Sequence, residues 1–151
     1  MSAQNNLNKL GITLPTPPTP VANYVGWQKA GNLVIVSGQV PLINGERIIG
    51  KVGKDLTKEQ AVEAARICGI NIIAQANQAV NGNIDKLKLV RLGIFVNCTD
   101  DFTEQPLVGN GVSDLMVEVF GDNGKHARAA VGTNSLPLGV PVEVDAIFEV
   151  I

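Results

Sequence analysis

The sequence predicts an α+β domain in which one mixed sheet carries two helices on one of its faces. At 151 residues the chain has the length of one common domain. It is 45% hydrophobic and 17% charged, a composition that excludes wholesale disorder. Strand-like apolar runs flank only two long segments of helical periodicity, which gives the expected order βββαβαββ.

Residues 1–22 are expected to form a leader that precedes a single domain at residues 23–151. Residues 1–10 are polar, and residues 15–20 (PTPPTP) form an extended segment because proline fixes φ. We interpret the leader as a strap or loose arm on the domain surface, in preference to a ligand for a proline-binding partner. No secretory signal and no membrane-spanning run of about 18 apolar residues is recognisable, so we expect a cytoplasmic protein.

The first strands are expected directly after the leader. Residues 24–30 form a candidate strand, Gly31-Asn32 supplies a turn, and residues 33–37 (LVIVS) are strong β-formers. Asn44-Gly45 is the strongest short hairpin signal in the chain. Residues 46–50 would return from this hairpin as a third strand.

The two helices differ in how clearly the sequence marks them. The first begins with a capping box at Thr57–Gln60 and keeps helical spacing of apolar residues until Asn81-Gly82 ends it. The second is expected within Pro106–Phe120, and the glycines at 109 and 111 leave its start open.

The remaining strands are predicted at residues 89–97, 128–134 and 142–151. Residues 33–36 and 90–96 are nearly continuous apolar runs, which suit strands covered on both faces. Two helices cover only one face of a sheet of this size, and no third layer is predicted. We therefore expect neighbouring copies to cover the other face in a closed homo-oligomer.

Charge and composition disfavour several classes of function. A net charge of −2 and 4% aromatic residues argue against a nucleic-acid surface, which needs basic side chains and stacking rings. Cys68 and Cys98 are interpreted as small buried apolar residues, and with His126 as the only histidine a zinc site lacks ligands. No phosphate-binding or nucleophile motif is present, so we expect no metal and no cofactor.

Charged residues near the C-terminus are candidates for chemistry. From spacing alone, Arg128 is equally a surface residue or a carboxylate anchor at a pocket rim. Alternation along the last strand puts Glu143, Asp145 and Glu149 on one face, and a solvated acidic face is favoured unless one of them meets Arg128. His126 can act as a general base, but a loop histidine is more often a surface residue.

The order and spacing of several residues resemble the Rid (reactive intermediate deaminase) family, also called YjgF or L-PSP. They are Tyr24, Ser37-Gly38-Gln39, Arg128, and Glu143 within Leu136-Pro137…Val142-Glu143-Val144. The proline-bearing leader and residues 110–115 and 124–128 are most similar to the longer branch of this family. The resemblance runs from residue 24 to the C-terminus.

The resemblance implies a chorismate-mutase-like fold assembled as a homotrimer, with a central β-barrel and clefts between subunits. It also implies hydrolysis of enamines or imines such as 2-aminoacrylate to 2-keto acids and ammonia, without a metal or cofactor. By position, Arg128 would hold the substrate carboxylate and Glu143 would orient the attacking water. The cleft would be lined by Tyr24 and Ser37, by the backbones of Gly38 and Ala130, and by Asn110.

Three departures from the family pattern bear on specificity. Ala129 and Ala130 replace the usual serine and cysteine after the arginine, Ser113 stands where an aromatic is usual, and the loop before Arg128 is shorter. Two other functions stay open: non-catalytic binding or sensing of small carboxylates such as 2-keto acids, and the endoribonuclease or translation-inhibitor role of some relatives. The acidic charge and scarce aromatics disfavour the second.

Overall fold

The computed structural model describes residues 2–151 as a sheet with helices on one side. The helices are α1 (Ala3–Lys9), α2 (Lys58–Ala79) and α3 (Gln105–Phe120). The strands are β1 (Trp27–Ala30), β2 (Leu33–Gln39), β3 (Leu42–Ile43), β4 (Glu46–Arg47), β5 (Leu87–Asn97), β6 (Ala127–Thr133) and β7 (Val142–Val150). Short 3₁₀ turns lie at Ile84–Lys86, Gly121–Gly124 and Pro137–Gly139. No helix within residues 2–151 is long and apolar enough to cross a bilayer.

The main sheet has five strands in the order β1-β2-β7-β5-β6. The pair β5 and β6 is parallel and the other neighbours are antiparallel, which confirms the predicted mixed sheet. The predicted hairpin at Asn44-Gly45 is also confirmed, because both residues have positive φ (52° and 78°), as a two-residue turn requires. Its strands, however, form a separate ribbon, since the tight turn pairs β4 with β3 alone.

Helix α2 begins at the predicted capping box. The Thr57 hydroxyl accepts from the backbone N–H of Gln60 at 3.2 Å, and the Gln60 side chain accepts from the Thr57 N–H at 2.8 Å. Two donors that the first turn leaves free are thereby satisfied. The helix ends before Asn81, whose φ of +52° stops helical hydrogen bonding.

Helices α2 and α3 pack closely because glycines lie between them. A Cβ at Gly111 would overlap the Val62 carbonyl oxygen, and one at Gly69 would lie 2.9 Å from Leu115 Cδ2. Gly109 and Gly111 are therefore interior residues of α3, which starts one residue before the predicted range. Their helix-weakening effect is offset by close contact between the helices.

The leader contributes its own helix to the core. Leu7 is fully buried, and the Asn6 side-chain amide donates to the Val119 carbonyl at 2.8 Å. The Ala3 N–H donates to the Asp85 carboxylate at 2.6 Å. Helix α1 is thus fastened to the end of α3 and to the turn before β5, while residues 12–20 run on without regular structure.

Residues 2–151 leave the second face of the main sheet uncovered. Its apolar side chains stay accessible, with Leu33 39%, Ile35 44% and Val131 46% exposed. The helices lie against the opposite face, where Val144 and Phe148 of β7 are fully buried. We call the accessible side the open face.

Candidate functional site

Arg128 lies on the edge strand β6 and its side chain reaches toward α3. Its Nη1 donates to Ser113 Oγ at 3.0 Å and its Nη2 donates to the Pro106 carbonyl at 3.1 Å. A Cβ at Gly109 would lie 3.0 Å from Nη1, so this glycine leaves room for the guanidinium. Among residues 2–151 no carboxylate forms an ion pair with it. Arg128 is therefore a half-buried, oriented cation with no anionic partner in the described chain.

Asn110 and Ala130 lie beside Arg128. Pro106, Asn110 and Ser113 follow one another at helical spacing, which puts the half-buried Asn110 on the stripe of α3 that carries both contacts to Arg128. Alternation along β6 puts Ala130 on the same face as Arg128, with its Cβ 3.6 Å from the Cβ position of Gly109. Three predicted site residues thus form one group at this edge.

Two further residues join this group that the sequence did not assign to it. Ser113 Oγ lies 2.9 Å from His126 Nε2, and His126 Nδ1 lies 2.6 Å from the Gly124 carbonyl oxygen. The interpretation of His126 as a surface residue is wrong, because it is half-buried with both ring nitrogens engaged. The sequence signal that could have placed His126 in this group is strand alternation, because residues 126 and 128 lie on the same face of a strand.

Glu143 lies on the open face, next to Gly38. A Cβ at Gly38 would lie 3.1 Å from Glu143 Oε2, so the carboxyl group rests against the β2 backbone. Burial raises the pKa of Glu143 above its usual value of 4.5, and the negative charge of Asp145 raises it further. Arg91 Nη1 lies 3.8 Å from Asp145, above Gly93.

Tyr24 and Ser37 line a shallow groove at the opposite edge of the sheet. The groove has a volume of about 700 Å³ and is lined by Ala22, Asn23, Tyr24, Val25, Trp27, Gln28, Ile35 and Ser37. Ser37 Oγ donates to the Val25 carbonyl at 2.7 Å, which fixes the segment leading to β1. The Tyr24 side chain is 61% exposed and available for contacts.

The predicted site residues therefore form two groups within one chain. The Arg128 group faces the helix side at β6, whereas Glu143 points to the open face. Strands β7 and β5 separate β2 from β6, so Ser37 and Arg128 lie on strands about 14 Å apart at the usual interstrand spacing. Within one chain the two groups therefore do not share a cleft.

The two cysteines lie in the core beneath the sheet, and Cys68 is near Glu143. Cys68 and Cys98 are free and buried, which confirms their interpretation as small apolar residues. Burial raises the pKa of the Cys68 thiol, the Glu143 carboxylate raises it further, and Cys68 Sγ donates to the Val142 carbonyl at 3.6 Å. Within residues 2–151 no cluster of three or more metal-ligating side chains is found.

A mixed sheet with two long helices on one face places the chain among small α+β proteins. The family described as "YjgF/chorismate mutase-like, putative endoribonuclease" matches residues 4–148. The chain therefore belongs to the YjgF/Rid family.

Several relatives cover nearly the whole chain. Protein TCP17 from Trypanosoma cruzi is 45% identical over 147 residues, covering 95% of this chain and 91% of its own. A protein of unknown function from Agrobacterium tumefaciens, Atu1372, is 44% identical with a TM-score of 0.93 over 99% of this chain and 92% of its own. A Shewanella oneidensis structure described as a putative endoribonuclease is 29% identical with a TM-score of 0.95, covering 99% of this chain and 100% of its own.

Proposed function

We propose that the protein hydrolyses imines and enamines derived from amino acids, of the 2-aminoacrylate type, to 2-keto acids and ammonia. The observation that carries the proposal is Arg128, an oriented guanidinium without an anionic partner in the described chain. The reaction class is the one that the resemblance to the reactive intermediate deaminase family implies, and the match to the YjgF family model supports that resemblance.

The substrate carboxylate would bind to Arg128. A guanidinium has five N–H donors, and two of them are used by Ser113 and Pro106. The three that remain suffice for two parallel hydrogen bonds to a carboxylate, each stabilising the complex by about 1.5–3 kcal/mol. Asn110 and the Ala130 backbone supply further polar groups beside the anchor.

Glu143 would handle the attacking water. An enamine first tautomerises to its imine, and water then adds to the C=N carbon to form a carbinolamine. Glu143 accepts a proton from water as the C–O bond forms and returns it to the nitrogen, which gives the neutral carbinolamine. Glu143 then transfers the hydroxyl proton to the same nitrogen, so that the C–N bond breaks, ammonia leaves and C=O forms. The raised pKa of Glu143 suits this role, because a general base works best when its pKa lies nearer the working pH.

The complete site would form between copies of the chain in a homotrimer with a central barrel. The half-exposed Leu33, Ile35 and Val131 support burial of the open face by neighbouring copies. Tyr24, Ser37, Gly38 and Glu143 of one copy would face the Arg128 edge of the next. This arrangement unites the two groups that one chain keeps apart.

A second candidate is a protein that binds small carboxylates without turnover. The observation that favours it is Ala129-Ala130, which leaves no hydroxyl or thiol on the strand directly after the anchor. In this case 2-keto acids would raise the melting temperature through Arg128 without any acceleration of imine decay.

The first prediction concerns Arg128→Ala. The variant should lose about 10–100-fold of the catalysed rate, because one or more charge-assisted hydrogen bonds to the carboxylate are removed. We would generate 2-aminoacrylate enzymatically from serine and follow its decay with each protein. Arg66→Ala is the matched control, since Arg66 pairs with Glu118 on the helix surface at 2.9 Å.

The outcomes separate the two candidates. Decay at the same rate with and without the wild-type protein would contradict the deaminase. If 2-keto acids then raise the melting temperature of the wild type but not of Arg128→Ala, the binding function is the better description.

A further inference from the structure

A continuous chain of hydrogen bonds leads from Arg128 to a backbone carbonyl. Arg128 Nη1 donates to Ser113 Oγ at 3.0 Å, and this oxygen lies 2.9 Å from His126 Nε2. His126 Nδ1 lies 2.6 Å from the Gly124 carbonyl oxygen. The chain joins α3, β6 and the turn between them.

The acceptors in this chain determine where its protons lie. A carbonyl oxygen can only accept, so His126 Nδ1 must carry the proton that points to Gly124. In the neutral imidazole Nε2 is then an acceptor, and the Ser113 hydroxyl donates to it. The lone pairs of Ser113 Oγ are left to accept from Arg128, so every bond has one donor and one acceptor.

We infer that Ser113 and His126 are positioning residues that hold Arg128 in its carboxylate-binding orientation while His126 is neutral, and release it when His126 is protonated. The inference rests on the proposed role of Arg128 as the carboxylate anchor. It assigns to Ser113 a function in place of the aromatic residue that is usual in the family.

The far end of the chain is fixed by packing. A Cβ at Gly124 would overlap the Met116 carbonyl oxygen, so the turn Gly121–Gly124 sits directly on α3. The Gly124 carbonyl therefore has a set position relative to Ser113, which lies on the same helix. His126 spans the gap between two fixed points, and its ring orientation follows from them.

Protonation of His126 would break this arrangement. The imidazolium has N–H donors at both nitrogens, so Ser113 Oγ would have to accept from His126 and from Arg128 at once. The His126 imidazolium and the Arg128 guanidinium would then share Ser113 Oγ. Of the two cations, the guanidinium is the one that can move toward solvent. At acidic pH the guanidinium is expected to lose its fixed orientation and bind carboxylates more weakly.

The surrounding charges offer no carboxylate to compensate the imidazolium. Within residues 2–151 no carboxylate forms an ion pair with the His126 ring, and Asp114 on α3 is exposed. Of the other charged groups on the neighbouring elements, Glu118 pairs with Arg66, Asp122 with Lys125 and Asp145 with Arg91. Lys88 of β5 lies opposite Glu149 in the strand register.

The first arm of the test needs no ligand. His126 is the only histidine, so its ring ¹⁵N resonances can be assigned without ambiguity. We expect a ring protonated at Nδ1 at about pH 8, and a changed Nε2 resonance in Arg128→Ala, because Ser113 then loses its donor. The inference would be overturned if the ring is protonated at Nε2, or if the Nε2 resonance is the same in the wild type and in Arg128→Ala.

The second arm measures binding of pyruvate by calorimetry at about pH 5.5 and about pH 8. The wild type should bind pyruvate about tenfold more weakly at about pH 5.5 than at about pH 8. At both pH values, Ser113→Ala and His126→Ala should bind pyruvate as weakly as the wild type does at about pH 5.5. His126→Gln should bind well at both, since a glutamine oxygen accepts from Ser113 and does not titrate. Glu143 is present in all four proteins, so this variant also separates the contribution of His126 from that of Glu143.

The proposed function and this inference can fail separately. If Arg128→Ala abolishes pyruvate binding while Ser113→Ala and His126→Ala keep the wild-type affinity and pH profile, the inference is wrong and the anchor stands. If the wild type does not bind pyruvate, the proposed role of Arg128 as carboxylate anchor is contradicted. The ¹⁵N resonances of His126, measured without ligand, then decide whether Ser113 and His126 orient Arg128.

Discussion

The two faces of the main sheet are built from the same strands and differ in almost every physical property. Along β7, Val142, Val144 and Phe148 are fully buried under the helices. The alternate residues Glu143 and Asp145 stand half-buried on the open face, where no helix covers them.

This difference separates the residues that stabilise the chain from those available for assembly and chemistry. The covered face is apolar and complete within one copy, so it accounts for folding by hydrophobic burial. The open face combines exposed aliphatic residues with a carboxylate whose pKa is raised by burial. Both features are energetically unfavourable on a surface that stays in water. Substitutions on the two faces should therefore have effects of different kinds.

The largest expected effect is that of Phe148→Ala on the covered face. Phe148 is fully buried, and its ring meets Phe120 edge-on with centroids 5.9 Å apart. Its truncation should lower the free energy of unfolding by about 3–5 kcal/mol, because a cavity remains in a close-packed core. Urea denaturation followed by circular dichroism measures the change.

Phe95→Ala is the counterpart on the open face of the same sheet. Phe95 is half-exposed in one copy, so its truncation should change the stability of a single folded chain only slightly. If copies cover this face, the variant should shift the protein to smaller species in sedimentation velocity. A Phe95→Ala loss as large as that of Phe148→Ala, with unchanged sedimentation, would contradict the distinction between the faces.

The next effect compares two glycines on α3. Gly111→Ala should destabilise the protein by about 1–3 kcal/mol, because the new methyl group meets the Val62 carbonyl of α2. Gly109→Ala should stay within about 1 kcal/mol of wild type, since a better helix former compensates for small shifts of Ile94 and Arg128. Melting temperature and pyruvate affinity are measured for both variants.

For carboxylate binding the expected order of the two glycine variants is the reverse, with the larger loss in Gly109→Ala. The Gly109 methyl group would lie 3.0 Å from Arg128 Nη1 and shift the guanidinium slightly within its contacts to Ser113 and Pro106, so Gly109→Ala should weaken carboxylate binding in a stable protein. Wild-type binding by Gly109→Ala would show that the position of the guanidinium against α3 is unimportant.

The sequence predicted those features that depend on local pattern. The capping box at Thr57–Gln60 and the alternation along β7 require only neighbouring residues, and both are confirmed. The cluster of Ser113, His126 and Arg128 depends on how α3 is rotated and translated against β6, which no local pattern encodes. For the same reason the sequence could place Arg128 and Glu143 in one motif without showing that they face opposite sides of the sheet.

The smallest effect, and the one with the clearest sign, is that of Glu143→Gln on stability. The raised pKa means that the folded state binds the proton more tightly than the unfolded state does. Stability from this group is fully present below its unfolded value of 4.5 and is lost as pH rises through the folded pKa. At neutral pH the wild type therefore carries a partly desolvated charge that glutamine lacks.

Glu143→Gln should accordingly melt at a higher temperature than wild type near pH 7, and the difference should vanish as the pH falls below 4.5. Glu149→Gln makes the same change on the same face, opposite Lys88 in the strand register, and should leave stability unchanged or slightly lower. If Glu143→Gln instead lowers the melting temperature at neutral pH, the carboxylate is stabilised by its surroundings. The open face would then resemble the solvated acidic surface that the sequence alone favoured.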